Sequence, residues 1–264
     1  IVFRKKRDSS LIRIVDDIKN NLLDGCISSG NTGALLTAGL LILGKIKGIG
    51  RPALAPLIPI GKNGFILCDV GANSSIKPKH LVEFGLMCTA YLENLNQISK
   101  PRVALLNIGI EENKGNQLTI EAYPMLKNNL NNFIGNIEAR ELFENKADIV
   151  LCDGFTGNIV LKLIEGVISN MIRITKKSVD SHSMSKLVKP ILYPVFKDIS
   201  KAFDYEEYGG TPILGVNGII MKCHGSSNSK AIEKALLKTQ QTFEKRLLQK
   251  LEKKINKIQI SKTV

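Results

Sequence analysis

Three short runs in this sequence combine small residues with amide and hydroxyl groups: Gly30-Asn31-Thr32-Gly33, Gly71-Ala72-Asn73-Ser74-Ser75 and Gly154-Phe155-Thr156-Gly157-Asn158. Glycine lets a ligand come close to the backbone, and the side chains supply hydrogen-bond donors, an environment that suits a small oxyanion such as phosphate. Asn, Ser and Thr also cap helices with no ligand present, so each run taken singly reads first as a capping turn. Only their gathering at one edge makes a site. Charged residues stand beside these runs. Asp69 and Asp153 close strand-like segments, where a carboxylate needs a hydrogen-bonding or catalytic role to be buried. Asp16 and Asp17 fit a solvated helix face instead. In Glu111-Glu112-Asn113-Lys114-Gly115-Asn116 a cation sits in a polar loop, where it could meet phosphate or a developing oxyanion, an exposed charged turn being the alternative. Lys162 lies one turn beyond Asn158, within reach of the same edge or on the surface.

The segments that must position these residues are βα units. Short runs of Val, Ile and Leu each end in a Gly/Asn/Ser cluster and lead into a segment of helical period. Cys26–Ser29 precedes a helix over 34–46, and Phe65–Val70 precedes one over 79–92. Val103–Asn107 precedes a helix from Gln117, a short strand follows near Phe133-Ile134, and Ile149–Asp153 precedes a helix over 159–171. Residues 213–221 read as a strand pair broken at Asn217-Gly218, followed by His224-Gly225-Ser226-Ser227-Asn228 and a long helix from Lys230. Near-continuous apolar strands imply burial on both faces, hence a mostly parallel sheet between helical layers. In such sheets ligands bind beyond the carboxyl ends of the strands. The basic stretch from Lys245 to Lys262 reads as a helix fraying into solvent.

Composition excludes several classes. A chain of 264 residues with 44% hydrophobic and 23% charged residues is neither disordered nor fibrous, and its length fits one large α/β domain over 1–264. No stretch reads as an uninterrupted apolar span of bilayer length, and no signal peptide is visible. The five cysteines are widely spaced within apolar runs and read as buried thiols of a reducing cytoplasm. A net charge of +13 favours an acidic partner without choosing between nucleic acid, anionic lipid and an acidic protein. General enrichment in lysine explains it equally well. There is no nucleoside-triphosphate P-loop, no dinucleotide fingerprint, no zinc-protease helix and no serine-hydrolase elbow. His80, His182 and His224 show no shared metal spacing, and no metal or cofactor is expected.

Between Met184 and Phe203 apolar residues recur at helical spacing with Lys186, Lys189, Lys197 and Lys201 interleaved. Pro190 and Pro194 divide this segment into two short helices meeting at Ile191-Leu192-Tyr193, a protruding hairpin over 181–207. Such a tip suits the membrane interface, with lysines over anionic lipid; a hairpin packed in a dimer or against the core is the alternative.

Taken together, SSGNTGA at 28–34, DVGAN at 69–73, PRVALLNIGIEENKGN at 101–116, ADIVLCDGFTGNIVLK at 147–162 and YGGTPILGVNG at 208–218 with HGSSNSKAI at 224–232 resemble the PlsX-type phosphate acyltransferases. The likeness extends to about Leu237. It implies a three-layer α/β/α fold similar to isopropylmalate dehydrogenases and phosphotransacetylases, a homodimer, and a cleft lined by these loops. The implied reaction passes an acyl group from acyl carrier protein to inorganic phosphate, and the acyl phosphate would feed a membrane glycerol-phosphate acyltransferase. Nucleic acid is not among the implied partners, and the implied location is the cytoplasm, peripherally on the inner face of the membrane. On this resemblance Asn31, Thr32, Asn73 and Asn158 hold phosphate or the carbonyl oxygen, with Glu112, Asn116 and Lys162 beside them. Lys114 counters developing charge, Asp69 and Asp153 orient donors or handle the thiol proton, and Ile191, Leu192 and Tyr193 touch the membrane. The family's amino-terminal strand and Gly-Gly-Asp loop have no counterpart before Ile1, so a preceding segment is expected. A coenzyme A-dependent phosphotransacetylase and a non-catalytic anion-binding or membrane-docking protein are the competing readings.

Overall fold

The computed structural model describes residues 8–60, 63–95, 98–181, 194 and 209–260. Its larger sheet has five strands: β3 (Leu57–Ile60), β4 (Asn63–Cys68), β5 (Val103–Asn107), β6 (Phe133–Glu138) and β7 (Ile149–Leu151), in the order β3-β4-β7-β5-β6. β3 pairs antiparallel with β4, and the other four are parallel, with Ile66 opposite Ile149 and Leu105 opposite Leu151. The side-chain period of two divides β4 between two cores. Ile66 and Cys68 face α3 (Pro78–Leu95), α4 (Gln117–Asn129) and α7 (Leu247–Ile260), whereas Phe65 and Leu67 join Val160, Leu161 and Ile164 of α5 (Gly154–Ser181). Helices therefore cover both faces, the three-layer arrangement that unbroken apolar strands demand.

A second sheet of four strands was not foreseen as separate. It runs β1 (Cys26–Ser28), β9 (Ile220–Lys222), β8 (Thr211–Leu214), β2 (Ala53–Leu54), with β1 parallel to β9 and the β8–β9 and β2–β8 pairs antiparallel. Val15 and Ile18 of α1 (Ser10–Lys19) and Leu35 and Ala38 of α2 (Thr32–Ala38) pack on its Cys26, Ile213 and Ile220. Its Leu214 and Met221 belong to the core built on α3, so that helix serves both sheets. α2 gives way at Gly39 to a single wide turn ending at Leu43, short of the expected helix over 34–46.

Two expectations need correction. The basic carboxyl-terminal stretch does not fray from its start: after α6 (Ser229–Glu244), α7 buries Leu247, Leu251 and Ile255 against α3. Lys250 Nζ donates to Asn94 Oδ1 at 2.6 Å and Lys254 pairs with Glu93, so apolar residues at helical spacing bind one face while lysine heads stay at the rim. Second, α5 spans 28 residues and is apolar enough by length and composition to cross a bilayer. Its inner face packs on the five-stranded sheet and its first turns line a polar cavity, so α5 belongs to the α/β layers. The hairpin over 181–207, apart from Ser181 and Pro194, lies outside the described residues, as do Ile191, Leu192 and Tyr193.

Candidate active site

Where the amino end of α5 meets the loop after β4, glycine permits backbone-to-backbone contact. A Cβ on Gly157 would sit 2.0 Å from Asp69 O, and one on Gly154 would sit 2.5 Å from Asn73 O, so no side chain fits at either place. Hydrogen bonds join the same parts. Asp69, fully buried, accepts from Leu54 N at 2.9 Å, Asn73 N at 2.7 Å, Ala72 N at 3.3 Å and Asn73 Nδ2 at 3.0 Å. Burial pushes its carboxyl above the usual carboxylate range against the pull of these donors. Asn73 Nδ2 also donates to Pro52 O at 2.7 Å. Asp69 and Asn73 thus fasten the end of β4 to β2, which gives a buried carboxylate its hydrogen-bonding role.

Asp153 caps α5: its Oδ1 accepts from Thr156 N at 2.9 Å and its Oδ2 from Thr156 Oγ1 at 2.7 Å. Gly154 N donates to Asn73 O. Much of this helix terminus is therefore satisfied from within, and the groups that face open space lie one turn further on.

That space is a cavity of about 550 Å³ between the two sheets. Ser29 to Thr32 enter from the β1–α2 loop, Gly71 from the loop after β4, and Asn158, Lys162 and Glu165 from α5. The end of β9 and the turn beyond it contribute Lys222, His224 and Ser227. Asn31 Oδ1 takes the Ala34 N–H at 3.0 Å as a helix cap, which leaves donation to its amide nitrogen. Lys162 Nζ lies 2.7 Å from Glu165 Oε2, a pair at the cavity rim with Lys162 59% exposed. Lys222 is half-buried, its ammonium donates to Cys223 O, and burial pushes its pKa below the ordinary lysine value. His224 Nδ1 lies 2.6 Å from Ser226 Oγ.

Of the residues singled out in the sequence, Asn31, Thr32, Asn158 and Lys162 line this one cavity, and Asp69, Asn73 and Asp153 hold its walls. Glu112, Lys114 and Asn116 stand elsewhere on the same sheet edge, in the loop after β5. There Asn116 caps α4 through Thr119 N at 3.0 Å, Glu112 pairs with Lys127 at 2.9 Å, and the Lys114 carbonyl accepts from Asn107 Nδ2. Lys222 and Glu165 carry no local sign of a site in the sequence, and His224, visible in its run, carries none of a role in this cavity. The HGSS run was visible, but nothing local connects it to residues 29–32; the pairing of Ile27 with Met221 and Ser28 with Lys222 does.

Amide, hydroxyl and cationic groups converging from both sheets suit a small oxyanion and the polar end of an ester or thioester. Comparison with known proteins gives this chemistry a setting. A family model described as fatty acid synthesis protein matches residues 1–250. The phosphate acyltransferase of Alkaliphilus oremlandii is 48% identical over 236 residues, spanning 89% of this chain and 70% of that protein. The phosphate acyltransferase of Clostridium acetobutylicum is 44% identical over 256 residues, spanning 97% and 77%. Among solved structures, a phosphotransacetylase from Streptococcus pyogenes superposes with a TM-score of 0.58 at 17% identity, covering 88% of this chain and 67% of that one. A branched-chain phosphotransacylase from Enterococcus faecalis gives 0.56 at 13%, covering 88% and 78%. At such identities these two share the fold alone. The match over residues 1–250, with 48% and 44% identity to relatives of which the chain covers 70% and 77%, places the chain in the fatty acid synthesis protein family, together with the phosphate acyltransferases.

Proposed function

We propose that this enzyme transfers a fatty acyl group from the thioester of acyl carrier protein to inorganic phosphate, giving acyl phosphate and the free carrier thiol. The observation that carries the reading is the cavity between the sheets, where Asn31, Thr32 and Asn158 meet Lys162, Lys222 and His224. Phosphate is itself a sufficient nucleophile. One of its oxygens attacks the carbonyl carbon, the C–O bond forms, the C–S bond breaks, and the departing sulfur takes the proton that hydrogen phosphate gives up. The protein's part is to position the reactants and offset charge.

In this scheme the amide and hydroxyl donors of Asn31, Thr32 and Asn158 hold phosphate or the carbonyl oxygen. Lys162 and Lys222 offset the negative charge, and His224 stands beside the leaving sulfur. Asp69, Asn73 and Asp153 act as positioning residues through the backbone they fasten. Lys114, with Glu112 and Asn116 shaping its loop, adds positive potential along the same edge for an anionic substrate or the acidic carrier protein. The protein works in the cytoplasm as a homodimer, and Ile191-Leu192-Tyr193 rests on the inner face of the membrane, near the glycerol-phosphate acyltransferase that consumes the product. The exposed apolar outer face of α5 supports an association through protein surface.

Incubation with palmitoyl carrier protein and labelled phosphate is expected to yield labelled acyl phosphate. Faster turnover of the matching coenzyme A thioester would assign the chain to phosphotransacetylase chemistry, and no phosphate-dependent loss of thioester would leave a binding protein. For the membrane reading, Ile191→Asp with Leu192→Asp is expected to abolish co-sedimentation with anionic vesicles; retained sedimentation overturns it.

A further inference from the structure

The polar cavity opens into a second space. A depression of about 230 Å³ continues from it between α5 and β3, lined by Ile58 and Pro59 on the strand and by Leu161, Ile164 and Ile168 on the helix. Ile58, Leu161, Glu165 and His224 line both spaces, so the two are continuous. The balance shifts along this path: the first part sets amide, hydroxyl and ammonium groups of Asn31, Thr32, Asn158 and Lys222 among Leu54, Leu57 and Val70, whereas five of the eight residues lining the second are Ile, Leu or Pro, with Glu165, Ser169 and His224 completing it. From Leu161 to Ile168 the groove follows α5 for about 10 Å at the helical rise per residue.

An oxyanion alone has no use for the apolar part. A molecule with a polar reacting end and a hydrocarbon tail uses both, and each methylene that leaves water there strengthens binding by about fourfold. The outer face of α5 is also apolar, yet Leu163 and Val167 on it are exposed and do not line the polar cavity. Ile164 and Ile168 belong to the half-buried face that leads into it.

We propose that the acyl chain of the thioester lies in this groove, with its carbonyl at the junction beside His224 and its tail along Ile164 and Ile168, which thereby set chain-length preference. This rests on the acyl-transfer reading above and adds where the chain binds. Ile168 lines the end of the groove farthest along α5 from the polar cavity, so filling that end penalises long chains more than short ones.

The test is the ratio of kcat/KM for palmitoyl over octanoyl carrier protein, with inorganic phosphate as acceptor. Ile168→Trp is expected to lower this ratio by about tenfold or more, the lower end of what one misfit methylene costs in an apolar pocket. Ile168→Ala, which widens the groove, is expected to raise it, and Ile164→Phe gives an independent reading if the Trp variant does not fold. An unchanged ratio in Ile168→Trp and Ile164→Phe, or an equal fall for both substrates, overturns the groove while leaving acyl transfer intact. Failure of the parent protein to make acyl phosphate from either substrate overturns the reading beneath it as well.

Discussion

A lysine beside a reacting anion differs from one merely on the same side of the protein in how steeply its loss is felt. Lys162 lines the cavity next to Asn158, whereas Lys114 stands in the loop after β5, two strands across from β4. Two strand spacings are about 10 Å, comparable to the distance over which salt screens exposed charges at physiological ionic strength. Lys162→Ala is therefore expected to lower kcat/KM for acyl phosphate formation by about a hundredfold, the usual order for one electrostatic group at a reacting centre. Lys114→Ala should cost less than about tenfold and should fade as salt is added. Initial rates at two salt concentrations check both, and equal losses in the two variants would return Lys114 to the reacting atoms. The aspartates divide along similar lines. Asp69 and Asp153 look alike in sequence, each closing an apolar strand, yet one takes backbone donors from three residues and the other caps a helix.

Elements are held to one another by a few polar ties at their ends. Arg102 precedes β5 and Asp148 precedes β7, and the two are joined by Arg102 N, Nε and Nη2 donating to the Asp148 carboxylate at 2.7, 3.0 and 3.0 Å. Burial alone would raise the Asp148 carboxyl; the Arg102 hydrogen bonds outweigh it and hold the pKa below the ordinary 3.8. A carboxyl lowered on folding stabilises the protein above its unfolded pKa, and that contribution disappears as pH falls through the lower folded value. Asp148→Asn should thus cost about 1 kcal/mol at neutral pH, a modest figure because Arg102 is partly exposed. The gap to the parent should close below pH 3.8. Denaturant titrations at neutral and acid pH measure this; a gap that persists in acid would mean the tie works through something other than the carboxylate charge. Much at this scale was legible. Val103–Asn107 is a strand over the residues expected, and α4 begins at Gln117 as expected, because buried parallel strands and capped helices carry local signals. The two-residue β2 was missed, since it exists only by pairing Ala53 and Leu54 with Leu214 and Ile213, far along the chain.

At the scale of the whole molecule, the feature that a single chain leaves unexplained is the outer face of α5. Phe155, Ile159, Leu163, Val167, Met171 and Ile174 follow one another at helical spacing and are between 47% and 64% exposed. An exposed apolar stripe of that length has the character of a contact surface. If it joins two copies, Leu163→Glu with Met171→Glu places charges inside the interface and should halve the mass found by light scattering. A dimer mass for that variant excludes this face as the interface. The sequence by itself determined the alternation of strands and helices, the layered α/β class and the loops rich in glycine and asparagine, because period, caps and turn residues act over a few positions. Only the tertiary structure decided which of those loops share a cavity, that Lys222 and His224 join Asn31 and Thr32 there, and that α7 docks on α3. Those outcomes depend on the pairing of β1 with β9 and the docking of α7 on α3, elements far apart along the chain, and no local pattern encodes such distances.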